Sequence, residues 1–561
     1  MRILPNTHRP PTAQVSVVVI GHNDAAHVTD AVRSALAQGP AVREVVAVDD
    51  CSADRSAALL DALARDEPRV RVVRRAVNSG GCGSPRNDGI DAATAPYVMF
   101  LDSDDVLPPG AVDALLAAAL DAGAPVGAGR CVRRELPSGR DIPWQPGLYA
   151  RPAVVARPAR RPRLVHDTLC VNKLYSTGFL REHGIRFPEG PFRYEDFVFT
   201  ARVLAAGPRI ALVPDTVYVW HVRRDADRLS ISLDRSGVDN WRARTEAVGA
   251  AHEILLGAGE KRLARAVRAK FLDHELRMYT RELAQRGPAY RSEWWRLTRA
   301  FLGSFDAADF GPAPAPGRVI ARVVLAADEP RDLPRLTELA ARPARLRPPY
   351  ARAADGTPVW SADLPQVDLD HLLERPVRVL PVAVDAELRP RRGTSCLRLR
   401  LHELYGRLGE AGPRAVTAEF TERASGRRGP RRTSPFAPGP DPDTWSAEIE
   451  VDLAALGAGT WDLRCRLGFH DGTGRDTTAH AVAGPGLLRR SAVPSARHGL
   501  LLIQPYATHS GSLAVRIASG WRGTTAVLRR RLARLLHCCT TRRCGRRRRA
   551  APRAHREGTP P

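Results

Sequence analysis

The segment PYVMFLDSDD, residues 96–105, runs through the apolar Val98, Met99, Phe100 and Leu101 and then releases three carboxylates, Asp102, Asp104 and Asp105, within four positions. Carboxylates this close repel one another unless something positive sits among them. A divalent cation, a set of arginines, or water around a solvated turn or helix N-cap would each answer the repulsion. For an acidic loop standing alone the arginine and solvent answers are the ordinary ones. A cation held by one or two carboxylates and by the phosphates of a substrate needs further parts. Such parts occur in order along the chain: His22-Asn23-Asp24, Asp49-Asp50, Arg86, Glu195-Asp196, and His221 followed by Arg223, Arg224 and Arg228.

The elements that must position these groups read as alternating strand and helix. VSVVVI (15–20) is a continuous apolar, β-branched run, as expected of a strand buried on both faces of a parallel sheet. A helical pattern follows, then a strand at 43–50, a helix at 55–65, a strand at 70–74, the Gly-rich turn NSGGCGSPRNDGI with a helix after it, and the strand 97–101 that delivers the acids. His221 follows a short strand. This pitch predicts a doubly wound α/β sheet, in which ligands bind at the carboxyl ends of the strands. Those ends carry His22 to Asp24, Asp49 and Asp50, and Asp102 to Asp105. From 236 to 345 the apolar spacing is helical. From about 370 it changes to period two between Gly/Pro turns, which predicts an antiparallel β-sandwich ending near SLAVRIA, 512–518.

Composition bounds the function classes. The chain has 561 residues, 43% of them hydrophobic, and a formal charge of +24, enough length for two to four domains. Such basicity points to a polyanionic partner, yet residues 521–561 hold 13 Arg against Glu557 and so account for +12 of it. That tail is expected to be largely disordered and to make weak contact with an anionic membrane surface. No zinc-finger, helix-turn-helix or RNA-binding signature accompanies the charge, so a nucleic-acid-binding protein is the disfavoured, non-enzymatic alternative. The nine cysteines show no CxxC pair, and neither a signal peptide nor a membrane span is legible. The expected setting is reduced and cytoplasmic, at most peripheral on the inner face of the cell membrane.

Taken together, VSVVVIGHND, EVVAVDDCSADRS, NSGGCGSPRNDGI, YVMFLDSDD, NKLYSTGFLREHGIRFPEG and YEDFVF resemble, in order and spacing, the inverting glycosyltransferases of family 2, over residues 14–235. Two positions depart: Ile20 stands where the family often has Pro, and Cys51 where it has Gly. The resemblance implies an α/β GT-A fold (a Rossmann-like doubly wound mixed sheet), a UDP-sugar donor and Mn²⁺ or Mg²⁺. It implies donor contacts from Asn23, Asp49, Arg86, Asp102 and Arg223, with Asp50 structural. Asp104 would hold the metal. The stretch YVWHVRRDADRLSIS, 218–232, resembles that of the wall teichoic acid glycosyltransferases, which implies that His221 approaches the metal as well; the plainer alternative is a satisfied core histidine. Asp196 would be the general base and Glu195 its positioning partner; the plainer alternative is that this pair merely opens a helix. Ser230 or Ser232 would order the following loop.

The architecture resembles the wall teichoic acid N-acetylglucosaminyltransferases that act on poly(ribitol phosphate). It implies a GT-A domain over 15–235 after a flexible 1–14, a helical linker over 236–345, and a C-terminal all-β, immunoglobulin-like sandwich over 346–520 that forms homo-oligomers. The acceptor would be a polyanionic or lipid-linked glycopolymer approached past Arg193. A transferase that builds capsule or exopolysaccharide repeats on a lipid carrier is the alternative enzyme reading.

Overall fold

The computed structural model describes residues 14–223, 234–373, 376, 379–391, 394–441, 443–482, 487–495, 499–508 and 510–519. The expectations placed on 1–13, on Arg224, Arg228, Ser230 and Ser232, and on the tail 521–561 lie outside them. The chain divides into two compact units, one of residues 1–344 and 350–372, the other of 345–349 and 373 onward.

The first unit is built on a nine-stranded mixed sheet. β1 (Val15–Gly21) is buried over its first six residues and pairs in parallel with β2 (Val42–Asp49) on one side and β4 (Tyr97–Asp102) on the other. β3 (Val70–Arg74) extends the sheet beyond β2. On the far side come β8 (Lys173–Ser176), antiparallel to β4, then β5 (Val126–Leu136) and β9 (Ile210–Arg223), parallel to one another. β6 (Arg140–Pro143) pairs with β5, and β7 (Ala153–Val155) with β9. Chain order reverses about β1, with β2 and β3 to one side and β4 to the other, so a crevice opens at that switch point. Register sets its rim: Ile20 pairs with Asp102 and Gly21 with Asp49.

Helices α1 (Val28–Leu36), α2 (Ser56–Asp66), α3 (Gly83–Ala92), α4 (Ala111–Ala122), α5 (Thr177–Glu182) and α6 (Glu195–Ala205) accompany the strands. Two expectations are corrected here. The stretch NSGGCGSPRNDGI is not a turn throughout, because α3 begins inside it at Gly83. His221 does not follow a short strand but lies near the end of the 14-residue β9. That strand continues because it has β5 to pair with, a long-range partner invisible to local composition.

The helical region opens with α7 (Asp239–Gly257) and α8 (Lys261–Lys270), a π-helical turn at Phe271–Leu276, and α9 (Arg277–Leu283). It belongs to the same compact unit as the sheet. The expected division at 346 is corrected as well: residues 350–372 sit in the first unit. Trp360 is fully buried, with Arg335 stacked 4.1 Å from its ring centre and its indole N–H donated to Asp332 (2.7 Å).

The second unit is a β-sandwich. Strand Ser395–His402 alternates fully buried with half-buried or exposed side chains along its length. It pairs antiparallel with Ala383–Arg389 and Thr444–Val451. The second sheet is built around Pro413–Glu422, Gly459–Phe469 and Leu513–Ser519. Leu397, Leu399, Ile449, Phe420, Trp461 and Leu463 from the two sheets share one core. One pairing, Ala383–Arg389 with His480–Ala481, is parallel rather than antiparallel.

Candidate active site

Asp102, Asp104 and Asp105 do not share one partner. β4 ends at Asp102, and the three side chains then diverge. Asp102 accepts from Arg86 Nη2 (2.7 Å). Asp105, buried, accepts from the Tyr218 hydroxyl and from the backbone N–H of His221, each at 2.7 Å. Asp104 turns toward the cleft, its nearest cation Arg223 at 3.5 Å. Burial, then the neighbouring Asp102 and Asp24, push the Asp104 carboxyl up to about 6 against the pull of Arg223. The repulsion is thus relieved by an arginine at one end and a tyrosine at the other, and it persists in the middle.

Arg86 is the hub. It is 4% exposed, donates also to Glu195 Oε1 (2.5 Å), and lies 5.3 Å from the centre of the Phe187 ring. One guanidinium therefore ties the acid at the end of β4 to the acid at the start of α6. The Gly-rich segment makes this approach feasible. A Cβ on Gly81 would stand 2.5 Å from the Gly190 carbonyl oxygen, and one on Gly83 would stand 1.9 Å from that of Pro188. Asn87 clasps the same loop, exchanging hydrogen bonds with the Phe187 carbonyl (3.0 Å) and N–H (2.9 Å). The loop then turns through Tyr194 in the left-handed region (φ 62°), and α6 begins at Glu195.

Glu195 and Asp196 do open a helix, and both are half-buried there. Burial, then the adjacent Glu195, push the Asp196 carboxyl up to about 7 against the attraction of Arg86. A carboxylate poised near neutrality is suited to proton transfer. The helical region supports this corner. Arg244 stacks on Tyr194 (4.2 Å) and Lys270 on Phe197 (4.4 Å), and the Tyr194 hydroxyl donates to Asn240 (2.7 Å). Behind them Glu275 is fully buried beside Lys270 (2.6 Å). Against the burial that would raise it, Lys270, His274 and Arg244 hold its carboxyl down to about 2.

His221 sits across from Asp104, whose backbone carbonyl lies 3.1 Å from Nδ1. A carbonyl can only accept, so Nδ1 carries the proton and Nε2 presents its lone pair. Burial holds this imidazole below its usual pKa, with Arg223 adding to the effect. The neutral ring is the form that ligates metals. Among the described residues no three His, Cys, Asp or Glu side chains are grouped to hold a metal by themselves. What the cleft offers is a carboxylate and an imidazole, which fits a divalent cation that takes its other oxygens from a diphosphate.

The remaining candidates fall on the β1 and β2 side. Asp49 is buried at the strand end, where its Oδ2 accepts from the Ser52 N–H (3.2 Å). Asp50 is structural: it accepts from the Ser79 N–H and hydroxyl and pairs with Arg75 (3.0 Å). The side-chain oxygen of Asn23 accepts from the N–H groups of Ala53 (2.7 Å) and Asp54 (3.3 Å), which ties it to the neighbouring loop. Tyr218 is the residue that sequence reasoning passed over. Its buried hydroxyl donates to Asp105 and accepts from the Asp102 N–H (3.2 Å). The available signal was only that a buried tyrosine hydroxyl requires a partner.

Comparison with known proteins agrees with this arrangement. The model of Glycosyl transferase family 2 matches residues 16–184, a span that holds the strand-end acids and stops before Glu195, Asp196 and His221. The succinoglycan biosynthesis protein ExoO of Rhizobium meliloti is 32% identical over 247 residues, which is 42% of this chain and 67% of that one. The poly(ribitol-phosphate) beta-N-acetylglucosaminyltransferase TarS of Staphylococcus aureus is 29% identical over 217 residues, 38% of this chain and 36% of that one. The match therefore spans little more than a third of TarS. The crystal structure of S. aureus TarS superposes with a TM-score of 0.55 at 17% identity, covering 90% of this chain and 85% of that one, a likeness of fold.

Proposed function

Because the chain belongs to glycosyl transferase family 2, we propose that it transfers a sugar from a UDP-sugar, UDP-N-acetylglucosamine being the leading candidate, to a hydroxyl of a polyol-phosphate polymer of the cell surface, with inversion at the anomeric carbon. The observation that carries this reading is the pair of ion pairs from Arg86 to Asp102 and to Glu195, which draws the strand-end acids and the α6 acids into one cleft.

In this reading Asp196 takes the proton from the acceptor hydroxyl as its oxygen attacks the anomeric carbon and the bond to UDP breaks. Glu195, held by Arg86, fixes the face from which the acceptor enters. Asp49 binds the nucleobase and Asp102 the ribose, while Arg223 reaches the diphosphate; Arg86 acts by holding the acids rather than by lying open to the donor. Asp104 and His221 would hold a divalent cation, Mn²⁺ or Mg²⁺, which when bound supplies neutralisation of the charge on the departing diphosphate. The exposed Arg193, next to the acid pair, attracts the phosphates of the acceptor.

UDP release from a panel of UDP-sugars with Mn²⁺ or Mg²⁺ tests the donor reading. Turnover with one sugar, lost in Asp104→Ala and Asp196→Asn, is the expected result; no turnover and no UDP binding by the parent would end it. The likeness to ExoO favours a second reading, in which the acceptor is a lipid-linked exopolysaccharide precursor. Presenting the active donor with each acceptor class separates the two.

A further inference from the structure

From Ile142 to His166 the chain carries five arginines and no acid. Its later part forms two 3-10 turns, Pro158–Arg160 and Pro162–His166, each with a proline in its first turn. These turns pack on α8, with Val165 and Val267 lining the same small apolar cavity. Arg157, Arg160 and Arg163 of the turns are exposed, as are Lys261, Arg262 and Arg265 of α8. Among the described residues none of these six makes an ion pair, although arginines elsewhere in this unit are commonly paired with carboxylates. Two large aliphatic side chains stand out from adjoining elements: Val154, 58% exposed on β7, which precedes the turns in the chain, and Leu256, 41% exposed in the last turn of α7, which packs on α8.

We propose that this face, formed by residues 154–163 and the exposed side of α8, docks the protein on an anionic lipid surface. Unpaired cations lower their energy beside a negatively charged leaflet, each contributing a similar increment. The proline-started turns display the arginines on a stiff frame, so little backbone freedom is lost on contact. The aliphatic residues decide between partners. Val154 and Leu256 gain nothing from a soluble phosphate polymer, whereas at a lipid interface they enter the boundary between headgroups and acyl chains. β7 pairs with Ile210–Leu212 at the start of β9, and His221 lies toward the end of that strand. Counted on β5, whose Gly127 and Arg134 pair with Ala211 and His221, at about 3.3 Å per residue the face is roughly 23 Å from the cleft. It is therefore separate from the donor site, and the inference does not rest on the proposed reaction.

The test is sedimentation of the full-length chain with phosphatidylglycerol-containing vesicles, with phosphatidylcholine vesicles and soluble polyphosphate as the other arms. Arg157→Gln/Arg160→Gln/Arg163→Gln should lower partitioning to the anionic vesicles about a hundredfold. Arg262→Gln/Arg265→Gln should lower it about tenfold or more, and Val154→Asp should lower the part of the binding that survives added salt. The melting temperatures of these variants should equal that of the parent, which shows that the first unit is intact. Unchanged partitioning of both arginine variants would overturn the proposal, as would loss of binding only on deletion of 521–561. So would arginine variants that lose polyphosphate binding while keeping vesicle binding, which would assign the face to a soluble polymer.

Discussion

At the scale of single residues, the cleft is organised by shared partners. Asp196 is expected to be ionised, and so competent as a base, only above its raised pKa. The specificity constant kcat/KM, which reports the free enzyme, should rise with pH through about 7 and then level. Asp196→Asn should lower it by about 10²–10⁴-fold at the plateau. The same shift has a consequence for stability. A carboxyl whose pKa is higher in the folded than in the unfolded chain favours folding while protonated, and that contribution is lost as pH rises through the folded value. Asp196→Asn should therefore melt higher than the parent at about pH 8, with the difference gone below about pH 4. Equal melting temperatures at both pH values would show that Asp196 is not held in its raised state. Tyr218→Phe removes the hydroxyl that bridges Asp102 and Asp105 and leaves a buried carboxylate short of a donor. It should cost about 1–3 kcal/mol in chemical denaturation and reduce UDP release, because the loop of acids loses one of its ties to β9 and keeps others such as that of Asp105 with the His221 N–H.

At the scale of elements, the decisive contact is that of α3 with the loop before α6. The helix carries glycine where the loop carbonyls lie against it, and Arg86 one turn later reaches both acids. Gly83→Ala would drive a Cβ to 1.9 Å from a backbone oxygen, which no side-chain motion can relieve. It should cost more than the roughly 1–3 kcal/mol of ordinary overpacking and should abolish donor turnover by shifting Glu195 and Asp196. Gly178→Ala is the control: its Cβ would meet nothing nearer than 3.8 Å, and its melting temperature and activity should match the parent. The helical region acts on the same corner through Arg244, Lys270 and Asn240, which grip Tyr194 and Phe197 on either side of the acid pair.

At the scale of the whole molecule, all the candidate site residues fall in the first unit, and each unit has its own core. A fragment of residues 1–372 is therefore expected to fold and to release UDP from the same sugar as the full chain. A fragment that folds but is inert would show that the β-sandwich completes the site. No helix among the described residues is long and apolar enough to cross a membrane.

Much of this was legible in the sequence because its signals are local. An unbroken β-branched run implies a strand buried on both faces, and the pattern in VSVVVI became β1 almost to the residue. Period-two alternation placed the strands Ser395–His402 and Gly459–Phe469 for the same reason: one face must be dry. Acids at strand ends marked the crevice, since strand order alone brings the carboxyl ends together. What the sequence could not determine was which charge meets which. Asp102, Asp104 and Asp105 are neighbours along the chain, yet one answers to Arg86, one to Arg223 and one to Tyr218, at separations of 16, 119 and 113 positions. The length of β9, the start of α3 inside a Gly-rich stretch and the assignment of 350–372 to the first unit depended likewise on distant partners. Composition and periodicity report what a residue prefers; the energy of a buried charge is set by what lies beside it in space, and only the folded chain decides that.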